Sequence, residues 1–113
     1  MRLDRGNRLT LVCQLAARDV LRYTPGGVPI VRFTVGHASR QVEAGGERGV
    51  ELELACVAVE EQAKAIAAAP LGIGLELAGF LAPKARSGRQ LVLHVTEIRF
   101  VEGVVHAPTQ QRS

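Results

Sequence analysis

The chain has no tryptophan, one tyrosine and three phenylalanines in 113 residues, so few rings are available for stacking. Cysteine is nearly as scarce. Cys13 and Cys56 sit far apart inside apolar runs, too few for a disulfide framework, and read as core fillers of a protein kept in a reducing compartment. No apolar run approaches the roughly 20 residues needed to cross a bilayer. The first eight residues, Met1-Arg2-Leu3-Asp4-Arg5-Gly6-Asn7-Arg8, lack the apolar centre of a secretory signal. The expectation is a soluble, cytoplasmic protein with no membrane partner.

Chemistry for catalysis is also missing. Gly72-Ile73-Gly74 runs on into Leu75-Glu76-Leu77, which is no dinucleotide fingerprint, and there is no phosphate-binding P-loop. His37, His94 and His106 lie in separate elements, with no zinc-ligand spacing to Cys13 or Cys56. His37 and Ser39 are near neighbours, but no acid at a recognisable spacing completes a nucleophilic triad. Glu51 and Glu53 point the same way from one strand without forming an acid–base pair. The sequence reads as a binder and not an enzyme, with no cofactor, no metal and no small-molecule substrate.

What is present is a core. At 47% apolar residues the chain folds, and its length suits one domain. Leu9, Leu11, Cys13 and Leu15 alternate with polar residues over 8–16, the period of a half-buried strand. Thr24-Pro25-Gly26-Gly27 is a turn, and Val31, Phe33 and Val35 form the inward face of a second strand. Residues 36–49 are polar and glycine-bearing, a long loop or a flexible hairpin end. A third strand covers 50–59, with Leu52, Leu54 and Cys56 on one face and Glu51 and Glu53 on the other. Residues 60–69 are alanine-rich, carry Glu60 and Glu61 in the first turn and stop at Pro70, which predicts the single helix. Strands over 72–82 and 91–101 follow. In the last, Leu91, Leu93 and Val95 conflict in parity with Ile98 and Phe100, and a bulge near Val95 or Thr96 reconciles them. Three strands, a helix and two strands predict an all-β OB-fold: a five-stranded, partly open barrel with one short helix between strands 3 and 4. The folded domain is expected over 1–102, with a flexible tail at 103–113.

Charge is unevenly distributed. Residues 1–40 carry seven arginines against Asp4 and Asp19; residues 41–82 carry seven glutamates against Arg48 and Lys64; residues 83–113 are basic again. The sharpest feature is Pro83-Lys84-Ala85-Arg86-Ser87-Gly88-Arg89-Gln90: three cations, no acid and no aromatic around a Ser-Gly turn. It predicts a β-hairpin tip that lifts Lys84, Arg86 and Arg89 into solvent, suited to an anionic partner. The same cations on an exposed hairpin also discourage edge-to-edge strand pairing.

Asn7-Arg8-Leu9, Gly26-Gly27-Val28-Pro29, Gly36-His37-Ala38-Ser39, Glu43-Ala44-Gly45, Gly79-Phe80 and Leu91-Val92-Leu93-His94 before Glu97-Ile98 resemble, in order and spacing, the primosomal replication protein N (PriB) family. The similarity covers about residues 7–102. It implies a homodimeric OB-fold related to bacterial SSB, which binds single-stranded DNA, contacts the PriA helicase and helps bring in DnaT at stalled forks. The family's basic hairpin maps onto Lys84 and Arg86, with Arg89 fitting the third position after a deletion of about two residues, and Arg48 matches a further basic position. Arg22 and Tyr23 in the first hairpin, and Arg32, complete the expected DNA-binding set. Leu9, Leu11, Cys13 and Leu15 are the expected dimer surface, by analogy with the SSB relatives.

Two departures bear on function. Gly46 and Glu51 stand where well-studied relatives carry aromatics. Each lost stacking platform is worth about 1–3 kcal/mol, and a glutamate repels phosphate. Tyr23 is the best remaining stacking residue, with Phe33, Phe80 and Phe100 expected in the core. Binding is then expected to be electrostatic, weak, salt-dependent and indifferent to sequence. A second expectation is a dimeric protein–protein adapter with little intrinsic DNA binding, the acids Glu43, Glu47, Glu51 and Glu53 facing a basic partner or a solvated sheet face across from Arg32. An RNA-binding or structural OB-fold is a third, since a fold does not determine function.

Overall fold

The first alternating run builds strand β1, Leu9–Arg18, in the computed structural model, which describes residues 5–101. The expected 103–113 tail lies outside the described residues. After β1 come β2 (Arg22–Tyr23), β3 (Pro29–Glu43), β4 (Gly46–Val59), helix α1 (Glu60–Ala68), β5 (Gly74–Pro83) and β6 (Leu91–Val101). The sheet order is β1-β5-β6-β4-β3-β2, and an additional β1–β3 pairing closes the five long strands into a barrel. Its weakest seam is the parallel β4–β6 contact, which joins only Cys56, Val57 and Ala58 to Leu93, His94 and Val95. The OB-fold expectation holds. The helix follows the fourth strand and not the third, because the two-residue β2, which carries no apolar alternation of its own, adds to the count ahead of it.

Parity decides what fills the barrel. Cys13, Leu15, Val31, Phe33, Val35, Cys56, Leu75, Leu77, Leu93 and Val95 form the core, and Ala63 and Ile66 of α1 plug one end. Among the described residues no polar or charged side chain is buried. Burial pushes both thiols, Cys13 and Cys56, up to about 12, so they are inert core groups. Of the residues expected at the dimer surface, Cys13 and Leu15 face inward, and Leu9 and Leu11 are partly buried against the core. The outward face of β1 carries Thr10 and Val12.

Of the two readings of residues 36–49, a loop or a hairpin end, the structure has the hairpin end. β3 and β4 stay paired in register from Ile30↔Val59 to Glu43↔Gly46, a ribbon that runs past the core. Its outer part has no buried face, so hydrophobic periodicity vanishes while the ladder continues. The turn is Ala44-Gly45, with φ of 54° and 81°, the positive pair of a type I′ hairpin. Alanine in the left-handed region costs about 1 kcal/mol. Ala44→Asn, which restores the preferred Asn-Gly turn, should therefore slow amide exchange at the ribbon tip about fivefold. Unchanged or faster exchange would contradict the turn assignment.

The expected bulge in β6 is present. Ala78 pairs with Glu97 and Gly79 with Val95, which leaves Thr96 as the extra residue. Gly79 is required there: a Cβ would lie 1.9 Å from the His94 carbonyl oxygen.

Candidate nucleic-acid interface

The basic stretch is a hairpin tip, as its turn chemistry predicts. The Lys84 N–H donates to the Gln90 carbonyl at 2.8 Å and the Gly88 N–H to the Ala85 carbonyl at 3.0 Å, so Arg86 and Ser87 sit at the corners of a tight turn. Lys84, Arg86 and Arg89 are all exposed. The hairpin is anchored at its root by Asn7. Its amide donates to the Leu81 carbonyl at 2.9 Å and accepts from the Leu81 N–H at 3.0 Å, acting as one more rung beyond the Leu9↔Gly79 pair.

A second hairpin rises beside β3. Arg22 pairs with Ile30 and Tyr23 with Pro29. Thr24 closes the turn through its own N–H to the Val28 carbonyl, and its hydroxyl accepts from the Val28 N–H at 3.1 Å. Arg22 is exposed, and Tyr23 is 62% exposed. Beside the root of the basic hairpin, a cleft of about 190 Å³ is lined by Arg18, Asp19, Arg32, Thr34, Lys84 and Val92, among others. It brings the expected Arg32 and Lys84 to one place. It also adds Arg18, which sequence reasoning missed: nothing marks an arginine at a strand's last residue, and its guanidinium donates to the Ala69 carbonyl beyond the helix.

Ion pairing separates the basic residues into two sets. Arg8 pairs with Glu97, Arg40 with Glu47, Arg48 with Glu43, Lys64 with Glu61 and Arg99 with Glu76. Among the described residues, Arg22, Arg32, Lys84, Arg86 and Arg89 have no carboxylate within ion-pair distance. Of the expected binding residues only Arg48 is engaged, on the ribbon, 2.9 Å from Glu43. Exposed pairs of this kind are weak, but they lower the net charge of the ribbon.

The acids divide likewise. Glu43 and Glu47 are paired within the ribbon, whereas Glu51 and Glu53 lie opposite Ala38 and Gly36. Arg32 lies opposite Val57, so it does not face the glutamates across the strands as the sequence suggested. By strand parity Glu51 and Glu53 share the outer face with Arg32 and Thr34. That face is therefore cationic at the hairpin end and anionic along the ribbon.

The aromatics are placed differently from expectation. Phe33 is buried, but Phe80 is 39% exposed and Phe100 is 47% exposed. With Leu75, Leu77 and Leu81 of β5 on the core side, Phe80 has the opposite parity, a signal already readable in the sequence. Phe100 pairs with Leu75, one rung from the end of the ladder. Phe80 lies against His94, ring centroids 5.0 Å apart and planes within 4°. Among the described residues no cluster of three or more metal-ligating side chains occurs, and no helix is long and apolar enough to cross a membrane.

Residues 7–97 match the model of a family described as another single-strand binding protein family. The chain is similar to replication restart protein PriB of Nitrosomonas europaea, 42% identical over 80 residues that cover 71% of this chain and 74% of that one. Its fold matches the structure of PriB from Ralstonia solanacearum with a TM-score of 0.77 and 35% identity, over 86% of this chain and all of the other. It also matches the single-stranded DNA binding protein from Thermus aquaticus with a TM-score of 0.69 and 25% identity, over 87% of this chain and 51% of that one.

Proposed function

The chain belongs to the single-strand binding family and, within it, to the replication restart proteins PriB; from that premise we propose that it is a cytoplasmic single-stranded-DNA-binding accessory protein of the replication-restart primosome. It works as a homodimer that stimulates and bridges the PriA helicase and DnaT at stalled forks. One observation supports the DNA-binding reading above others. Among the exposed cations without a carboxylate partner, Arg22, Lys84, Arg86 and Arg89 belong to the two hairpins and Arg32 to β3, and Arg32 and Lys84 line one cleft with Arg18 and Asp19. OB-folds use these loops for nucleic acid. A strand laid there meets charge that is not already neutralised, and the Glu51 and Glu53 face turns it away from the ribbon.

The same two glutamates favour a second reading, a dimeric adapter for which DNA is secondary. Fluorescence anisotropy of labelled oligo-dT, with and without PriA, separates the two. The first reading predicts binding by the protein alone at low salt, tightened by PriA. Binding seen only in the presence of PriA would replace it with the second. Light scattering tests the dimer, and a monomer at micromolar concentration would remove it.

A further inference from the structure

We propose that the stacked Phe80–His94 pair on the barrel wall is a nucleobase platform. The inference rests on the DNA-binding reading and adds to it where one base sits. Phe80 and His94 are cross-strand partners on β5 and β6, directly opposite one another. Their spacing of 5.0 Å and angle of 4° fall within the range of stacked aromatic pairs. Neither ring is in the core: Phe80 is 39% exposed and His94 half-buried. Aromatic surface left open on a barrel wall has a desolvation gain still to make, and a base laid on the pair extends the stack by one ring.

What selects a nucleobase as the occupant is the charge around the pair. Lys84 lies four residues further on, in the hairpin just past the end of β5 at Pro83, about 13 Å of extended chain away. Across the sheet the row runs Phe80, His94, Val57, Arg32, about 14 Å in three strand spacings. Arg32 and Lys84 line the cleft together with Arg18 and a single acid, Asp19. A single strand whose phosphates follow Arg32 and Lys84 therefore passes the pair within a few nucleotides. A basic protein segment is disfavoured by the same cations.

Because the chain has no tryptophan, Phe80→Trp places a single reporter at the site. Its emission should be quenched by an oligo-dT of about 16 nucleotides and not by an abasic strand of the same length. In parallel, Phe80→Leu should weaken oligo-dT binding about tenfold, the scale of one lost stacked base, leave the salt dependence unchanged, and bind the abasic strand as the parent does. Phe80→Tyr should restore parental affinity. Equal binding of oligo-dT by Phe80→Leu and the parent, or an equal loss on both strands, would overturn the platform while leaving the DNA-binding reading intact. A parent that binds neither strand would overturn both.

Discussion

Gly79→Ala should lower the melting temperature by more than about 10 °C. The methyl group would be built 1.9 Å from the carbonyl oxygen and 2.9 Å from the carbonyl carbon of His94. Both are backbone atoms, so no side chain can swing aside. The close approach occurs where β6 carries its extra residue, between the Ala78↔Glu97 and Gly79↔Val95 pairs, and the bulge cannot shift without breaking the ladder on either side. Overpacking of this kind costs about 3 kcal/mol, a large share of the 5–15 kcal/mol that holds a typical domain together. For a domain of this size each kcal/mol moves the midpoint by about 4–8 °C. The two core cysteines supply a second readout. In the parent their burial should protect them from alkylation, and in the variant they should react at the temperature where the barrel opens. A drop of only a few degrees would mean that the strands are not held as described.

Replacing Lys84, Arg86 and Arg89 together by alanine should reduce oligo-dT affinity at low salt by at least about tenfold, with little effect on folding. All three side chains are exposed on a turn held by backbone hydrogen bonds, Lys84 to Gln90 and Gly88 to Ala85, which alanine leaves in place. Their effect on binding is large because the ribbon contributes so little. Arg40 and Arg48 are paired with Glu47 and Glu43, and Glu51 and Glu53 present negative charge beside the path. By contrast, Arg48→Ala alone should weaken binding less than the triple variant, since it removes one cation already held by Glu43 instead of three unpaired ones. A triple variant that binds as the parent does would move the DNA site away from the hairpin.

Much of this was legible in the residues. The parity of Leu9, Leu11, Cys13 and Leu15, and of Val31, Phe33 and Val35, located the core faces. The parity break after Val95 located the bulge, and Ser87-Gly88 located the hairpin tip. Period-2 patterning reports on a strand only where one face is buried. The outer half of the β3–β4 ribbon buries neither, so it reads only as a loop or a flexible hairpin end although its strand residues are paired. Phe80 illustrates a different failure. Its chemistry suggested the core and its parity the outside, and in the structure the parity prevails, with Phe80 39% exposed. Arg18 and the neutralisation of Arg48 depend on contacts between residues distant in sequence or across a turn, which no one-dimensional pattern records. The comparison with relatives supports the family and the fold; the allocation of charge between hairpin and ribbon comes from this chain's own ion pairs.

The central claim is that the hairpin end of the barrel binds single-stranded DNA through unpaired charge. The most direct test is the salt dependence of oligo-dT binding by the parent protein, measured by anisotropy over a series from low to physiological salt. Neutralising three phosphates of a single strand predicts a slope of about −2 in the log–log plot. A slope near zero, or no binding at the lowest salt, would contradict it.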